Sequence, residues 1–181
     1  MKIDCGPCVI RSWQYGDEDH LPRHANNQAV WLTLRDSFPH PYTMVDAQRW
    51  IQFVVDPERE TDFAIDVNGE AVGNIGLRIG EDVEQHSAEL WYWLGQAYWG
   101  RGIVSAAVKA ITEYAFEQMR LTRLYAKPMA HNTASIKVLE KAGYRQEGLL
   151  RGSVVKNGVL IDSFLYAYLV SDWLADTTEL V

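Results

Sequence analysis

Alternation of apolar and polar residues predicts β-strands along much of the chain. In the clearest case, Phe63, Ile65 and Val67 alternate with acidic or smaller residues, which predicts a strand with one buried face. The Asn68-Gly69 pair that follows tolerates positive φ at both positions and predicts a two-residue hairpin turn. The other predicted strands cover residues 8–13, 72–79, 88–94, 121–127, 144–155 and 159–170.

Apolar residues at helical spacing predict helices in the first third of the chain. Residues 17–35 carry a spaced apolar set that is consistent with one or two short helices. A longer pattern follows a proline-rich loop and places Trp50 and Ile51 on one helix face. Either Thr43 or Asp46 is expected to cap the start of this helix, because both side chains can accept a backbone N–H.

Two further helices are predicted in the second half. Apolar residues recur at helical spacing over 103–118, with one row facing the core. A shorter helix is predicted over 132–141, with Asn132 as its N-cap and Gly143 as its C-terminal stop. Because these helices alternate with strands, they are expected to cover the faces of a sheet.

The order of the predicted elements defines the fold class. The predicted elements follow in the order strand, helices, three antiparallel strands, helix, strand, helix and final hairpin. This order predicts an α/β (α+β) fold. Its sheet is mixed, mostly antiparallel, six- to seven-stranded and flanked by helices. Gly73 and Gly76 indicate a bulge or a close approach in one strand, and Asn157-Gly158 predicts the turn of the last hairpin. Without repeats or linkers, residues 1–181 are expected to form one domain.

Composition and charge exclude several classes of protein. The chain has 181 residues, of which 48% are hydrophobic, and this is enough for one substantial core. A net charge of −7 argues against nucleic acid as a partner, and it suits a cationic acceptor such as an amine. The apolar stretches are too short to span a membrane, and the N-terminus lacks a signal core. A cytoplasmic protein is expected.

The two cysteines stand in a Cys-Gly-Pro-Cys run at residues 5–8, the tetrapeptide of thioredoxin-like active sites. Such a site needs a helix after the first cysteine to lower its pKa, whereas residues 9–13 are predicted to be a strand. Redox catalysis of that kind is therefore not expected. The histidines show no zinc-finger spacing, so no metal is expected. His20 and His24 have helical spacing without an accompanying glutamate and are predicted to lie at the surface.

A glycine-containing turn carries the main chemical signal. Gly100 and Gly102 flank Arg101 at the predicted start of the helix over 103–118, where free N–H groups and the helix dipole bind anions. The P-loop pattern fails because it lacks its lysine and hydroxyl residue. The dinucleotide fingerprint fails because Ser105 replaces its last glycine. On spacing alone the segment is either a site for another phosphate ligand or an ordinary strand-to-helix turn.

An ordered set of segments resembles the GNAT superfamily of N-acetyltransferases, and more closely its RimJ/RimL-like branch, which acetylates protein N-termini. The matching segments are FPHPY at 38–42, AELWYWLG at 88–95, YWGRGI at 98–103, NTAS at 132–135, LEKAGY at 139–144 and the closing hairpin. Together they cover nearly all of the chain. One position departs from the superfamily pattern: Ala97 stands where an arginine or glutamine is usual, with Gln96 one place off.

The resemblance implies acetyl-CoA as co-substrate and a GNAT fold whose central strands splay apart. Backbone groups of Trp93 and Leu94 would pair with the pantetheine arm, and Asn132 would lie beside it. Asn132 is equally explained as a plain helix N-cap. The turn would hold the pyrophosphate mainly through backbone amides. The cofactor-binding residues implied there are Trp99, Gly100, Arg101, Gly102, Ile103, Val104 and Ser105.

Acetyl transfer to an amine requires a base, an oxyanion partner and an acid for the departing thiolate. The resemblance implies that Glu89 removes the ammonium proton, directly or through water, and that Ser135 protonates the thiolate. A backbone N–H near Leu94 would face the oxyanion. Two structural alternatives stay open: Glu89 as an ion-paired strand residue, and Ser135 as a hydroxyl bonded to its own helix.

The function that the resemblance implies is direct acetyl transfer, in a ternary complex, to a primary amine. The expected acceptor is the α-amino group of a protein or peptide. Two alternatives stay open: a small-molecule amine such as a polyamine or aminoglycoside, and a non-catalytic acyl-CoA-binding sensor. The sequence does not fix the acceptor, the regulation or the oligomeric state, a homodimer included.

Overall fold

The computed structural model describes residues 1–56 and 61–178 of the chain. Its strands are β1 (Lys2–Asp4), β2 (Val9–Ser12), β3 (Asp62–Val67), β4 (Glu70–Ile79), β5 (Ser87–Leu94), β6 (Arg123–Ala126), β7 (Arg145–Lys156) and β8 (Val159–Leu169). They form a sheet in the order β1-β2-β3-β4-β5-β6-β8-β7. β5 and β6 run parallel, whereas β1–β2, β2–β3, β3–β4, β6–β8 and β7–β8 pair antiparallel.

The described residues also contain six α-helices. They are α1 (Leu21–Ala25), α2 (Gln28–Trp31), α3 (Met44–Val54), α4 (Ile103–Glu117), α5 (Thr133–Lys141) and α6 (Val170–Thr178). Helices α1 and α2 confirm the short helices predicted between 17 and 35. Both predicted caps of α3 take part in one capping box, because Thr43 accepts the Asp46 N–H and the Asp46 carboxylate accepts the Thr43 N–H at 2.8 Å.

Both predicted Asn-Gly hairpin turns are confirmed by their backbone angles. Asn68 and Gly69 have φ values of 57° and 86° between β3 and β4. Asn157 and Gly158 have φ values of 50° and 75° between β7 and β8. Positive φ at both central residues matches the right-handed twist of the flanking strands, so each turn fixes the register of its hairpin.

The bulge or close approach predicted in β4 occurs at Gly73. The register against β3 shifts beside this glycine, so that Val72 is the extra residue of a β-bulge. The freed carbonyl of Val72 accepts the Gly95 N–H at 2.8 Å. A Cβ placed on Gly73 would lie 2.3 Å from the carbonyl oxygen of Trp93. A glycine is therefore required where β4 passes the end of β5.

The chain divides into two compact units, and the first contains the described parts of residues 1–76 and 92–107. Its core includes the fully buried side chains of Ile10, Phe63 and Ile65. Arg11 in β2 binds both carboxylate oxygens of Asp17 at 2.7 Å and one oxygen of Asp66 at 2.8 Å. This half-buried charge is thus paired with two carboxylates, which compensates for its partial removal from water.

The second unit contains residues 77–91 and the described part of residues 108–181. Its aromatic cluster centres on Tyr168, whose ring lies 6.1 Å from Phe116 and 5.5 Å from Tyr144. Gly143 has a φ of 93°, and a Cβ there would meet the Tyr168 ring at 2.8 Å. Gly143 therefore ends α5, as predicted, and leaves room for the tyrosine.

The fold class predicted from the sequence is confirmed, and three details differ. The sheet has eight strands rather than six to seven, because β1 has three residues and is too short to show an alternating pattern. The strand predicted over 121–127 is shorter and covers Arg123–Ala126. The last strand ends at Leu169, and the following residues form α6, which the sequence analysis did not predict.

Candidate functional site

The turn between β5 and α4 takes a conformation that needs glycine at two positions. A short 3₁₀ turn spans Gln96–Tyr98. Gly100 and Gly102 then have φ values of 74° and 75°, a region that side-chain-bearing residues rarely adopt. A Cβ on either glycine would have no heavy atom within 4 Å. The backbone at both positions is consequently accessible to a ligand.

Helix α4 begins with backbone donors that the protein itself does not use. The Ala106 N–H donates to the Gly102 carbonyl at 3.0 Å, and this is the first bond of the helix. Among the described residues, none accepts a hydrogen bond from the N–H groups of Ile103, Val104 or Ser105. Such free donors carry a partial positive charge at a helix start and attract anions. The helix has 15 residues and no acidic residue in its first turn.

Two side chains of the turn hold its shape. The Trp99 indole N–H donates to the Leu94 carbonyl at 2.7 Å, which ties the turn to the end of β5. The guanidinium carbon of Arg101 lies 5.3 Å from the centre of the Tyr98 ring, within the range of a cation–π contact. Arg101 is exposed, so its charge remains available to an anion beside the turn.

Contacts from α1 and α2 support the same turn. The Asn27 side-chain amide donates to the Gln96 side chain at 2.8 Å. The His24 ring lies 5.5 Å from the Tyr98 ring in an edge-on contact. A Cβ on Gly95 would meet His24 Nδ1 at 3.0 Å. Gln96, which stands one place from the usual superfamily position, thus serves a structural bond to α2.

His24 is buried, and its predicted surface location is wrong. Its side chain is 6% exposed, and its Nε2 lies 2.5 Å from Glu70 Oε1. Burial is the main cause that lowers the pKa of His24, followed by the positive charges of Arg23 and His20. Because a carboxylate oxygen can only accept, the ring N–H at Nε2 is the donor to Glu70. Sequence reasoning missed this pair because its members lie 46 positions apart.

The strand residues implied to bind pantetheine lie directly before the turn. Trp93 and Leu94 are both buried, with 5% and 4% exposure. The Trp93 ring makes an edge contact with Phe38 at 5.5 Å. The Leu94 carbonyl accepts the Trp99 indole N–H. The pairing of this backbone with pantetheine stays a prediction.

In the second unit, Asn132 and Ser135 are joined by a helix cap. The Asn132 side-chain oxygen accepts the Ser135 N–H at 3.1 Å, which confirms Asn132 as the N-cap of α5. The Asn132 N–H donates to the Met129 carbonyl at 2.8 Å. Both residues are half-buried. Their roles beside pantetheine and as thiolate acid stay predictions.

Glu89, the candidate base, lies in β5 opposite Tyr125 of β6. Its carboxylate lies 3.7 Å from the Lys127 ammonium, and its side chain is 13% exposed. The structural alternative, in which Glu89 forms an ion pair, therefore has a specific partner in Lys127. Because a paired carboxylate can still accept a proton, this contact leaves the base role of Glu89 as a prediction.

The predicted site residues fall into two groups. Nine of them form one continuous segment of the first unit: Trp93, Leu94, Trp99, Gly100, Arg101, Gly102, Ile103, Val104 and Ser105. The second unit holds Glu89, Asn132 and Ser135. Within the residues that the structure covers, no group of three or more side chains could hold a metal ion. In the same part of the chain, no helix is both long and apolar enough to cross a membrane.

Comparison with known proteins identifies the family of this chain. Residues 8–145 match the acetyltransferase (GNAT) domain family. The uncharacterized N-acetyltransferase p20 of Bacillus licheniformis is 35% identical over 171 residues, covering 91% of this chain and 94% of that protein. The ribosomal protein uS5-alanine N-acetyltransferase of Escherichia coli (strain K12) is 30% identical over 88 residues, covering 49% and 45%.

A solved structure shows the same fold. RimL, a ribosomal alpha-N-protein acetyltransferase in complex with coenzyme A, matches with a TM-score of 0.84 at 20% identity, covering 95% of this chain and 99% of that chain. The chain belongs to the GNAT family of acetyltransferases. It is an acetyl-CoA-dependent N-acetyltransferase, as the resemblance implied, and its relatives include acetyltransferases of ribosomal proteins.

Proposed function

We propose that this chain transfers the acetyl group of acetyl-CoA to the α-amino group of a peptide or protein N-terminus. The observation that carries the proposal is the open start of α4, where two glycines with positive φ precede three unused N–H donors. This geometry suits the pyrophosphate of coenzyme A, since both phosphates can approach the backbone without a Cβ between them.

The residues of the turn and of the strand before it fit acetyl-CoA as the acetyl donor. Backbone N–H groups between Gly100 and Ser105 bind the pyrophosphate, and Arg101 adds a formal charge at its edge. The backbone of Trp93 and Leu94 aligns the pantetheine arm like an added strand, and Asn132 binds beside that arm. Support comes from the turn itself and from the coenzyme A bound in the related RimL fold.

In this proposal, side chains of the protein move protons at two atoms: the amine nitrogen of the acceptor and the departing sulfur of coenzyme A. Glu89 removes a proton from the incoming ammonium, whose pKa near 8 leaves it mostly protonated at neutral pH. Ser135 returns a proton to the departing sulfur, and a backbone N–H near Leu94 stabilises the oxyanion. The transfer is direct, within a ternary complex of donor, acceptor and enzyme.

A protein acceptor is favoured by one relative, and a cationic acceptor of any kind is favoured by the charge of the chain. By its name, the uS5 relative acts on an alanine of a ribosomal protein. The net charge of −7 also attracts a cationic amine. Small amines such as polyamines share that cationic chemistry, and they are tested alongside.

The experiment compares a peptide acceptor with a blocked form of the same peptide and with two small amines. Acetyl-CoA and the enzyme are incubated with a peptide that begins with a free alanine, and with the same peptide acetylated at its N-terminus. Spermidine and an aminoglycoside form two further arms, and products are read by mass spectrometry. The proposal predicts one added acetyl group on the free peptide alone. Acetylation of spermidine or the aminoglycoside alone would contradict it, and binding of acetyl-CoA with no product in any arm would identify a sensor.

A further inference from the structure

The two cysteines face each other across a tight turn. The β1–β2 register pairs Asp4 with Val9, and continuing it by one step pairs Cys5 with Cys8. The Cys5 N–H donates to the Cys8 carbonyl at 2.9 Å, so this pair is hydrogen-bonded. Gly6 bends the chain between them with a φ of 83°. Directly opposed residues place their side chains on the same face of the sheet.

The spacing of this pair allows a disulfide. Hydrogen-bonded opposite residues have Cα atoms about 5.5 Å apart, and disulfides join Cα atoms about 4.4–6.8 Å apart. Both cysteines are free in the structure. Each thiol has a backbone carbonyl as its hydrogen-bond acceptor: Ile3 for Cys5, with the sulfur 3.7 Å from the oxygen, and Ile103 for Cys8, at 3.8 Å.

The two thiols differ in access and in charge. Cys5 is half-buried and reachable from solvent, whereas Cys8 is 5% exposed. The neighbouring Cys8 is the main cause that lowers the pKa of Cys5. Cys5 is in turn the main cause that raises the pKa of Cys8, and burial adds to it. Cys5 is therefore the accessible thiol, and it reacts first.

Cys8 connects this pair to the turn at the start of α4. Its sulfur lies 3.8 Å from the Ile103 carbonyl oxygen, and the contact is buried. Ile103 is the first residue of α4 and directly follows Gly102. A change in the position of the Cys8 sulfur therefore acts on the backbone that carries the unused N–H donors.

We propose that Cys5 and Cys8 form a reversible modification site for low-molecular-weight disulfides, and that its oxidation weakens the coenzyme A turn by removing the Cys8–Ile103 contact. In the first step, the Cys5 thiolate attacks one sulfur of the small disulfide. A bond forms between Cys5 and that sulfur, the small disulfide bond breaks, and the second sulfur leaves as a thiolate that takes a proton from water.

In the second step, Cys8 attacks the Cys5 sulfur. Capping of Cys5 makes its sulfur the electrophile and leaves Cys8 as the one remaining thiol of the pair. The Cys8 proton passes to solvent, the Cys5–Cys8 bond forms, and the second small thiol leaves with a proton. The protein loses two electrons and two protons, and the small disulfide is reduced to two thiols.

This site differs from a thioredoxin-like active site. There the first thiol lies at the start of a long helix, whereas here the strand β2 follows Cys8 directly. Reaction with a small disulfide is accordingly a stoichiometric modification of this chain, and the reduced state is restored by an excess of small thiol. The site is independent of the acceptor on which the proposed function depends.

The first test measures the modification directly. The reduced protein is incubated with oxidised glutathione, quenched in acid, alkylated and weighed intact by mass spectrometry. The proposal predicts a loss of two hydrogen atoms, no attached glutathione and no alkylated cysteine, all reversed by dithiothreitol. Two alkylated cysteines after incubation, or glutathione that stays on the wild-type protein, would overturn it.

Two variants separate the steps, with folding checked by circular dichroism. Cys8→Ser keeps a hydroxyl beside Ile103 and is predicted to hold one glutathione on Cys5, because no second thiol can displace it. Cys5→Ser is predicted to stay unmodified, because Cys8 is buried. Modification of Cys8 in Cys5→Ser at the wild-type rate would contradict the assigned order of attack.

The second test measures the coupling to the turn. Acetyl-CoA is titrated into reduced and oxidised protein, since its blocked thiol cannot reduce the disulfide. Loss of one weak hydrogen bond predicts affinity about three- to fivefold lower in the oxidised protein. Equal affinity in the two states would overturn the coupling. Failure of both states to bind acetyl-CoA would instead contradict the proposed function, and the mass measurement distinguishes these cases.

Discussion

Helices α4 and α5 both begin at predicted site residues, but their N-termini are built differently. The start of α5 is closed by its own sequence, because the Asn132 side chain accepts the Ser135 N–H at 3.1 Å. The start of α4 is open: among the described residues, nothing accepts from Ile103, Val104 or Ser105. Neither helix has an acidic residue in its first turn.

The difference shows how the first N–H groups of a helix can stay available to a ligand. A polar N-cap satisfies the first donors and stabilises the helix by about 1 kcal/mol. Where glycine precedes the helix, as Gly102 does at α4, no cap side chain accepts from the first N–H groups, and these donors remain for an anion. In the proposed function, the start of α4 binds the cofactor, whereas the start of α5 stabilises its own helix and carries the proposed acid Ser135.

The largest expected effect separates chemistry from binding. Ser135→Ala is predicted to lower kcat about a hundredfold, as expected for loss of a general acid, while the affinity for acetyl-CoA is unchanged. Steady-state kinetics and calorimetry on the same preparation measure both quantities. Thr133→Ala, in the first turn of the same helix, is the control and is predicted to keep kcat. A normal kcat in Ser135→Ala would remove Ser135 from the mechanism.

The next largest effect is expected from a substitution at the open start of α4. Gly102→Val forces a branched side chain into a φ of 75°, which costs about 1–3 kcal/mol, and it places methyl groups where phosphate approaches. Affinity for acetyl-CoA is predicted to fall about ten- to a hundredfold. The matched control is Gly69→Val, because Gly69 also has a positive φ of 86° and open space around it. Equal affinity losses in both variants would mean that strain alone, and not the turn, is responsible.

A smaller effect tests the closed helix start. Asn132→Ala removes the side-chain acceptor and is predicted to lower the free energy of unfolding by about 1 kcal/mol. Asn132→Ser retains an acceptor and is predicted to recover most of the loss. Urea unfolding monitored by circular dichroism measures both. If Asn132→Ala unfolds at the wild-type urea midpoint, the cap does not stabilise α5.

The smallest effect concerns the charge beside the turn. Arg101 is exposed and also contacts the Tyr98 ring, so Arg101→Ala is predicted to weaken acetyl-CoA binding only about two- to fivefold. Arg101→Lys keeps the charge and should bind nearly as the wild type does. The difference should shrink at high salt, because exposed charges are screened. A loss of acetyl-CoA affinity as large as that of Gly102→Val would mean that the Arg101 side chain, and not the backbone, provides most of the binding.

Local signals in the sequence were sufficient for much of the fold and for the turn. Asn-Gly pairs, the Asn132 cap and the glycines at 100 and 102 act through their own backbone or that of near neighbours, so each could be recognised in place. The family resemblance supplied the roles proposed for Glu89 and Ser135. A strand as short as β1 gave no periodic signal.

The contacts that support the turn could not be predicted, because their partners are distant in sequence. Asn27 and Gln96 are separated by 69 positions, and Cys8 and Ile103 by 95. No pattern within a short window links such pairs, and only the folded sheet brings them together. The burial of His24 has the same origin, since its partner Glu70 comes from another element.

Calorimetric titration of the reduced protein with acetyl-CoA, ATP and NAD tests the central claim most directly. We expect saturable binding of acetyl-CoA that is strongly weakened in Gly102→Val and retained in Gly69→Val. Binding of ATP or NAD with no heat from acetyl-CoA would contradict it, because the open start of α4 would then serve a different phosphate ligand.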